Sequence, residues 1–152
     1  MPNRPQKTLL IIDRDETHLR ELTPVLSSIG TAADHASSTS EAVAMLELYR
    51  YAVVLLDLAT SRNGINALAR CLREMPEALS PVVIIVAEAG EEPGDGLDAS
   101  RIHGIMRRPV DAEELAALAL TCSELAGIRA LDTMCVAMLA GTPLLAILAA
   151  KF

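Results

Sequence analysis

The sequence predicts an α/β fold: a doubly wound parallel sheet of five strands, helices on both faces, and a C-terminal helical extension. Three observations carry the prediction. Short runs rich in Leu, Ile and Val recur along the chain between polar residues, as suits strands buried on both faces. Between them lie segments whose apolar residues recur at three- and four-residue spacing. This alternation repeats five times, at crossover lengths that fit right-handed βαβ units. With 152 residues, 51% of them hydrophobic, one compact domain with a sizeable core is expected and disorder is excluded.

The first run, residues 8–12, ends at Asp13. Leu19, Leu22, Val25, Leu26 and Ile29 then mark a helix closed by Gly30, which accepts the left-handed cap; Pro24 is expected to bend it or end it early. Residues 31–36 carry Asp34 and His35 and read as an edge strand whose exposed face tolerates charge. Ser40 with Glu41 opens a second helix, with Val43, Leu46 and Tyr49 or Arg50 on successive turns. A strand at 52–56 ends at Asp57, and Ile65, Leu68, Cys71 and Leu72 mark a third helix before Pro76. Strands at 82–86, after Pro81, and at 102–106, before Arg107, Arg108 and Pro109, complete the sheet.

The fourth helix is the weak place. In 88–100 Gly90, Pro93, Gly94 and Gly96 interrupt the pattern and five acids crowd it, which predicts a short or irregular segment, either a solvated loop or a partner-binding surface. Asp111, Glu113 and Glu114 suit the positive end of a fifth helix dipole. Leu115, Leu118, Cys122, Leu125, Ile128, Leu131, Cys135 and Met138 prolong its spacing, so one helix, or a pair broken at Gly127, outruns the domain. Residues 7–126 are read as the domain and 127–152 as the hydrophobic extension.

A formal net charge of −7 excludes a surface built on clustered Lys and Arg, so no direct contact with nucleic acid is expected. Cys71, Cys122 and Cys135 lie in apolar helical patterns without CxxC spacing, and residues 1–7 lack an apolar signal core, which reads as a reduced, cytoplasmic protein. His18, His35 and His103 are scattered, with no pair at zinc-ligand spacing on one helical face. The stretch 133–150 is uncharged, but its Ala content and the Gly141, Thr142, Pro143 break argue against a bilayer span. Burying a Leu-sized side chain is worth roughly 1.5–3 kcal/mol, so this tail calls for a partner surface. A second copy of the chain, paired through the C-terminal helices into a homodimer, is the expected one.

In an open parallel sheet chemistry collects beyond the carboxyl ends of the strands. Asp13, Asp57, Val86 and Arg108 occupy such ends, and in a flavodoxin-like order, 2-1-3-4-5, the strands ending at Asp13 and Asp57 are neighbours. Two carboxylates and a cation are therefore expected to converge in one shallow pocket. A flavodoxin-like nucleotide or flavin protein would use the same place. Against it, IIDRDET stands where a glycine-rich phosphate loop would follow the first strand, and aromatic residues for stacking are few.

Four segments, LLIIDRDE, VVLLDLATSRNG, PVVIIVAE and GIMRRP, resemble in order and interval a response-regulator receiver domain of two-component signalling, over about residues 7–120. The resemblance implies that Asp57 matches the phosphoacceptor, Asp13 the first magnesium-holding acid, with Mg2+ held by Asp13 and Asp57. It further implies that Pro109 follows the invariant-lysine position, commonly in a cis bond. It implies a signalling module, not an enzyme, whose partners are a histidine kinase or a downstream effector.

The departures mark an atypical variant. Arg14 stands at the second acid and Asp15 is displaced by one; Val86 replaces the switch hydroxyl, Ile105 the switch aromatic, and Arg108 the lysine. Thr60 and Ser61 replace Met-Pro, and Gly64 arrives one residue early. Magnesium wants oxygen ligands in octahedral array, and Arg14 removes one. At roughly 4 Å and an effective dielectric near 20, a unit-charge pair is worth about 4 kcal/mol before desolvation, so Arg14 is expected to pair with Asp13 or Asp57 in place of the metal. Asp15 restores the acidic pocket only if its loop turns inward. Arg108 reads either as a phosphate binder or as a permanent neutraliser of Asp57. Arg107 is read as a solvent-facing neighbour and His103 as a strand or turn residue. The expected function is thus a receiver-like module with a phosphorylation-independent switch; the alternative is a membrane-anchored adaptor held by the apolar tail.

Overall fold

The computed structural model describes residues 6–138 apart from Asp95 and Asp98. The strands are β1 (Gln6–Ile12), β2 (Ala33–Ala36), β3 (Arg50–Asp57), β4 (Val82–Ala87) and β5 (Ile102–Arg107). The helices are α1 (Glu16–Ser28), α2 (Thr39–Leu48), the single turn α3 (Leu58–Ser61), α4 (Ile65–Glu74) and α5 (Ala112–Met138). Every strand pairing is parallel, and the order is β2-β1-β3-β4-β5. This is the flavodoxin-like arrangement expected, and the register sets Ile12 beside Leu56 and Asp57 beside Val86.

Strand alternation divides the core. Leu10, Ile12, Val54, Leu56, Val83 and Ile85 pack under α2 and α4, while Leu9, Ile11, Val53, Leu55, Ile84 and Val86 pack under α1 and α5. Helix starts follow local chemistry. Asp15 caps α1 by accepting from Thr17 N, Ser38 caps α2 by accepting from Glu41 N, and Asp111 Oδ1 accepts from Glu113 N at 2.9 Å. The second helix therefore opens one residue earlier than Ser40.

One expectation changes. Pro24 neither shortens α1 nor ends it: the helix runs on to Ser28, because the side chain lies exposed and the bond it forfeits is on the wet face. Of the two readings offered for the C-terminal pattern the single helix holds, since α5 runs through Gly127 without a break. The irregular fourth crossover is as expected: the described residues between Glu88 and Leu97 hold no helix, and the single turn Ala99–Arg101 leads into β5. Leu97, 6% exposed, reaches the core beneath α2 and α4 in place of a helix, and Ile105 on β5 remains 42% exposed. No helix among the described residues is long and apolar enough to cross a membrane. Residues 139–152, the last part of the proposed dimerisation tail, lie outside the described residues.

Candidate functional site

Asp13 is the residue after β1, and its N–H donates to the Ala36 carbonyl at 3.0 Å, tying the loop to β2. Asp57 closes β3 and caps α3. Both are buried, at 4% and 8% exposure. Arg108 follows β5, with its N–H on the Ala87 carbonyl at 2.8 Å, and the Arg108–Pro109 peptide is cis. Three strand ends thus deliver two acids and a guanidinium to one cavity of about 470 Å3, which runs inward between α1 and α5 past Leu22, Val86 and Leu115.

The guanidinium forks across the acids. Nη1 donates to Asp57 Oδ1 at 2.8 Å and Nη2 to Asp13 Oδ2 at 3.2 Å. Thr60 donates to Asp57 Oδ2 twice, from its N–H at 3.0 Å and its hydroxyl at 2.7 Å. Asp13 Oδ1 accepts from Asp15 N at 2.9 Å. All four carboxylate oxygens therefore have a donor.

Two contributors escape sequence reasoning. His18 Nδ1 lies 2.7 Å from Asp13 Oδ2 and 2.9 Å from Arg108 Nη2. With its proton on Nδ1 it donates to Asp13; without it, it accepts from Arg108, and it cannot do both. Its position one turn into α1, behind the Asp15 cap, was the available signal. Thr60 depends on the one-turn helix α3, too short for any periodicity.

Arg14 corrects the expectation placed on it. Its side chain is exposed and is in neither acid's ion pairs; only its N–H joins the site, donating to Thr60 Oγ1 at 3.0 Å. The backbone turns after Asp13, so the side chain next in sequence leaves the pocket while a cation 95 residues away enters it. Asp15 stays outside as the α1 cap, 3.5 Å from His18 Nε2. Its carboxyl is held below the usual range, chiefly by the Thr17 N–H, with His18 and Arg108 adding to it. Val86 is buried in the cavity wall.

Arg107 is exposed yet structural. It donates to the Glu88 carbonyl at 3.2 Å and to Glu92 Oε1 at 3.0 Å, and Arg62 pairs with Glu91 at 3.1 Å. These bonds fix the acidic loop after β4. The Glu88 N–H and then Arg62 hold the Glu91 carboxyl below its ordinary value. His103 lies on β5, with Nδ1 accepting from Val83 N at 3.1 Å.

Ligand atoms of Asp13, His18 and Asp57 lie within 4.8 Å of one another, the span of a metal set. The set does not fit Mg2+, which requires oxygen donors with lone pairs to spare. Here one donor is an imidazole, the acids' oxygens are already hydrogen-bonded, and a guanidinium stands between them.

No family model and no curated protein matches the sequence. Solved structures do match the fold. A two-component response regulator from Legionella pneumophila superposes with a TM-score of 0.65 at 20% identity, covering 78% of this chain and 98% of that one. A CheY-like response regulator receiver domain protein from Methanospirillum hungatei JF-1 gives 0.65 at 17% identity, over 79% and 96%. A response regulator receiver protein from Burkholderia phymatum gives 0.59 at 21% identity, over 78% and 95%. The chain therefore has the fold of the response-regulator receiver domains.

Proposed function

We propose that the chain is a receiver-like signalling module of a two-component phosphorelay. It acts through protein–protein contacts, with Asp57 at the phosphoacceptor position and a switch that no longer depends on phosphorylation. The observation that carries this reading is the Arg108 fork: the charge a metal would supply comes from a side chain, 2.8 Å from Asp57 and 3.2 Å from Asp13. Val86 offers no hydroxyl to a phosphoryl group and Ile105 no ring to swing. A modification that finds no differential contacts shifts no equilibrium, so the surface is held in one state.

Its partners in this reading are a histidine kinase or a downstream effector, and a second copy through α5 and the tail. Leu125 on α5, 47% exposed, supports the pairing of copies. No catalysis of its own and a cytoplasmic setting belong to the same proposal.

The test is incubation with Mg2+ and acetyl phosphate or beryllofluoride, followed by intact mass and spectroscopy. The expected result is a mass identical to that of the untreated chain. A magnesium-dependent adduct that disappears in Asp57→Asn would overturn the reading. For the dimer, sedimentation of the chain cut before Thr133 should give a monomer where the whole chain gives a dimer.

A further inference from the structure

We propose that the apolar tail of one copy of the chain, residues 139–150, docks in a cavity at the amino end of a second copy's sheet. The proposal rests on the homodimer reading above and names the surface through which the two copies join. The cavity, of about 430 Å3, opens between α2 and α4 at the amino ends of β3 and β4, far from Asp57. Tyr49, Tyr51, Cys71, Met75, Leu79 and Pro81 form most of its wall.

Charge and surface select this occupant. The charged side chains lining the cavity are Glu47, Arg50, Arg70 and Glu74, and their charges cancel. An ion brought in from water gains no surplus counter-charge there to offset its desolvation, so the cavity favours an uncharged body. Residues 139–150 carry no charge, and Leu139, Leu144, Leu145, Ile147 and Leu148 supply that body. The apolar wall also continues outward: Leu79 lines the cavity and is 39% exposed.

Reach selects the second copy over the first. Near its start α5 places Leu115 in the carboxyl-end cavity, and farther on it packs against the turn Glu77–Leu79, which leads into β4 at the amino end. The helix thus runs the full depth of the sheet. Its 27 residues span about 40 Å, whereas the eight residues of β3 span about 26 Å. It therefore delivers Met138 past the cavity of its own copy, and docking there would need a full reversal of the chain. A copy related by a two-fold axis lies ahead instead. Each copy then gives a tail and receives one, so the contact closes at two.

The whole chain carries its own probe, since both of its tyrosines stand in this wall and it has no tryptophan. Leu145→Trp puts an energy acceptor in the tail, and Tyr49→Phe with Tyr51→Phe removes the donors from that same chain. Refolded from urea together with the unaltered chain, it should show tryptophan emission sensitised by tyrosine, which a tail docked on its own copy cannot give. Ala67 is exposed and lines the cavity, so Ala67→Phe fills the space at little cost to folding. By sedimentation it should weaken self-association at least about tenfold, as should Leu145→Asp with Leu148→Asp, the loss of one buried Leu-sized contact. A whole chain that stays monomeric at every concentration would overturn the homodimer reading and this proposal with it. A dimer without sensitised emission in the mixture, or one that Ala67→Phe leaves unchanged, would overturn the docking alone. Sensitised emission confined to chains that carry donor and acceptor together would place the tail on its own copy and overturn it as well.

Discussion

The two ends of the sheet hold charge in opposite ways. At the carboxyl end two buried acids receive a donor on every oxygen, and the one cation that bridges them, Arg108, comes from within the chain. At the amino end two arginines and a serine present buried donors with no acceptor. Parallel sheets gather chemistry at their carboxyl ends. Here the acids' oxygens at that end are all hydrogen-bonded within the chain, and the unpartnered buried atoms lie at the other. The two ends therefore differ in how many buried polar atoms find partners within the chain, not in whether they carry charge.

The strongest way to break the comparison is Arg108→Met. Removing one partner of a buried pair leaves uncompensated charge and costs about 3 kcal/mol, the low end of the usual range because Arg108 keeps 15% side-chain exposure. Urea unfolding measures the loss, and adding Asp57→Asn should recover part of it. A loss below about 0.5 kcal/mol would mean the fork behaves like a surface pair, and the contrast between the two ends would collapse.

Gly64→Ala tests the loop that carries Thr60. Gly64 has φ +84°, and a Cβ there would stand 2.3 Å from Thr39 Oγ1, whose hydroxyl donates to the Asn63 carbonyl at 2.7 Å. Strain and a displaced bond together should cost about 2 kcal/mol in thermal or urea unfolding. Thr60→Val is gentler: Asp57 Oδ2 keeps the backbone donor and loses the hydroxyl, for about 1.5 kcal/mol by the same measurement.

These variants also mark what was legible in the sequence. Apolar runs set five strands, and glycines with acids announced the irregular crossover after β4, where the described residues form no helix before Ala99, because both are local signals of backbone conformation. Asp13, Asp57 and Arg108 were legible as neighbours because parallel strands bring their ends together. Arg14 misled, since one loop turn decides whether a side chain enters a pocket, and adjacency in sequence says nothing of that. His18 and Thr60 enter through the first turns of helices, and Arg107 through carbonyls of a loop, none of which leaves a periodic trace. The unmatched donors of Arg50, Ser80 and Arg101 exist only once three strands lie side by side.

The smallest effect expected lies beside the amino-end cavity and is read through pH. Burial first, then the hydrogen bond to Asp34, raises the Tyr51 phenol well above its ordinary 10.0. Above pH 10 the unfolded chain ionises this group while the folded chain does not, so its contribution to stability is complete below pH 10 and is lost as pH climbs toward the folded value. For Asp34 burial pushes the carboxyl up, but hydrogen bonds from Lys7 and Tyr51 outweigh it and leave it below 3.8. That contribution is present above pH 3.8 and is lost as pH falls through the lowered value. Tyr51→Phe should cost about 0.5–1 kcal/mol at neutral pH, since Asp34 keeps Lys7 at 2.8 Å. Melting curves should then show a shallower alkaline decline than the native chain above pH 10. Parallel declines would place Tyr51 outside the titration and remove the hydroxyl–Asp34 bond from the account of this cavity wall.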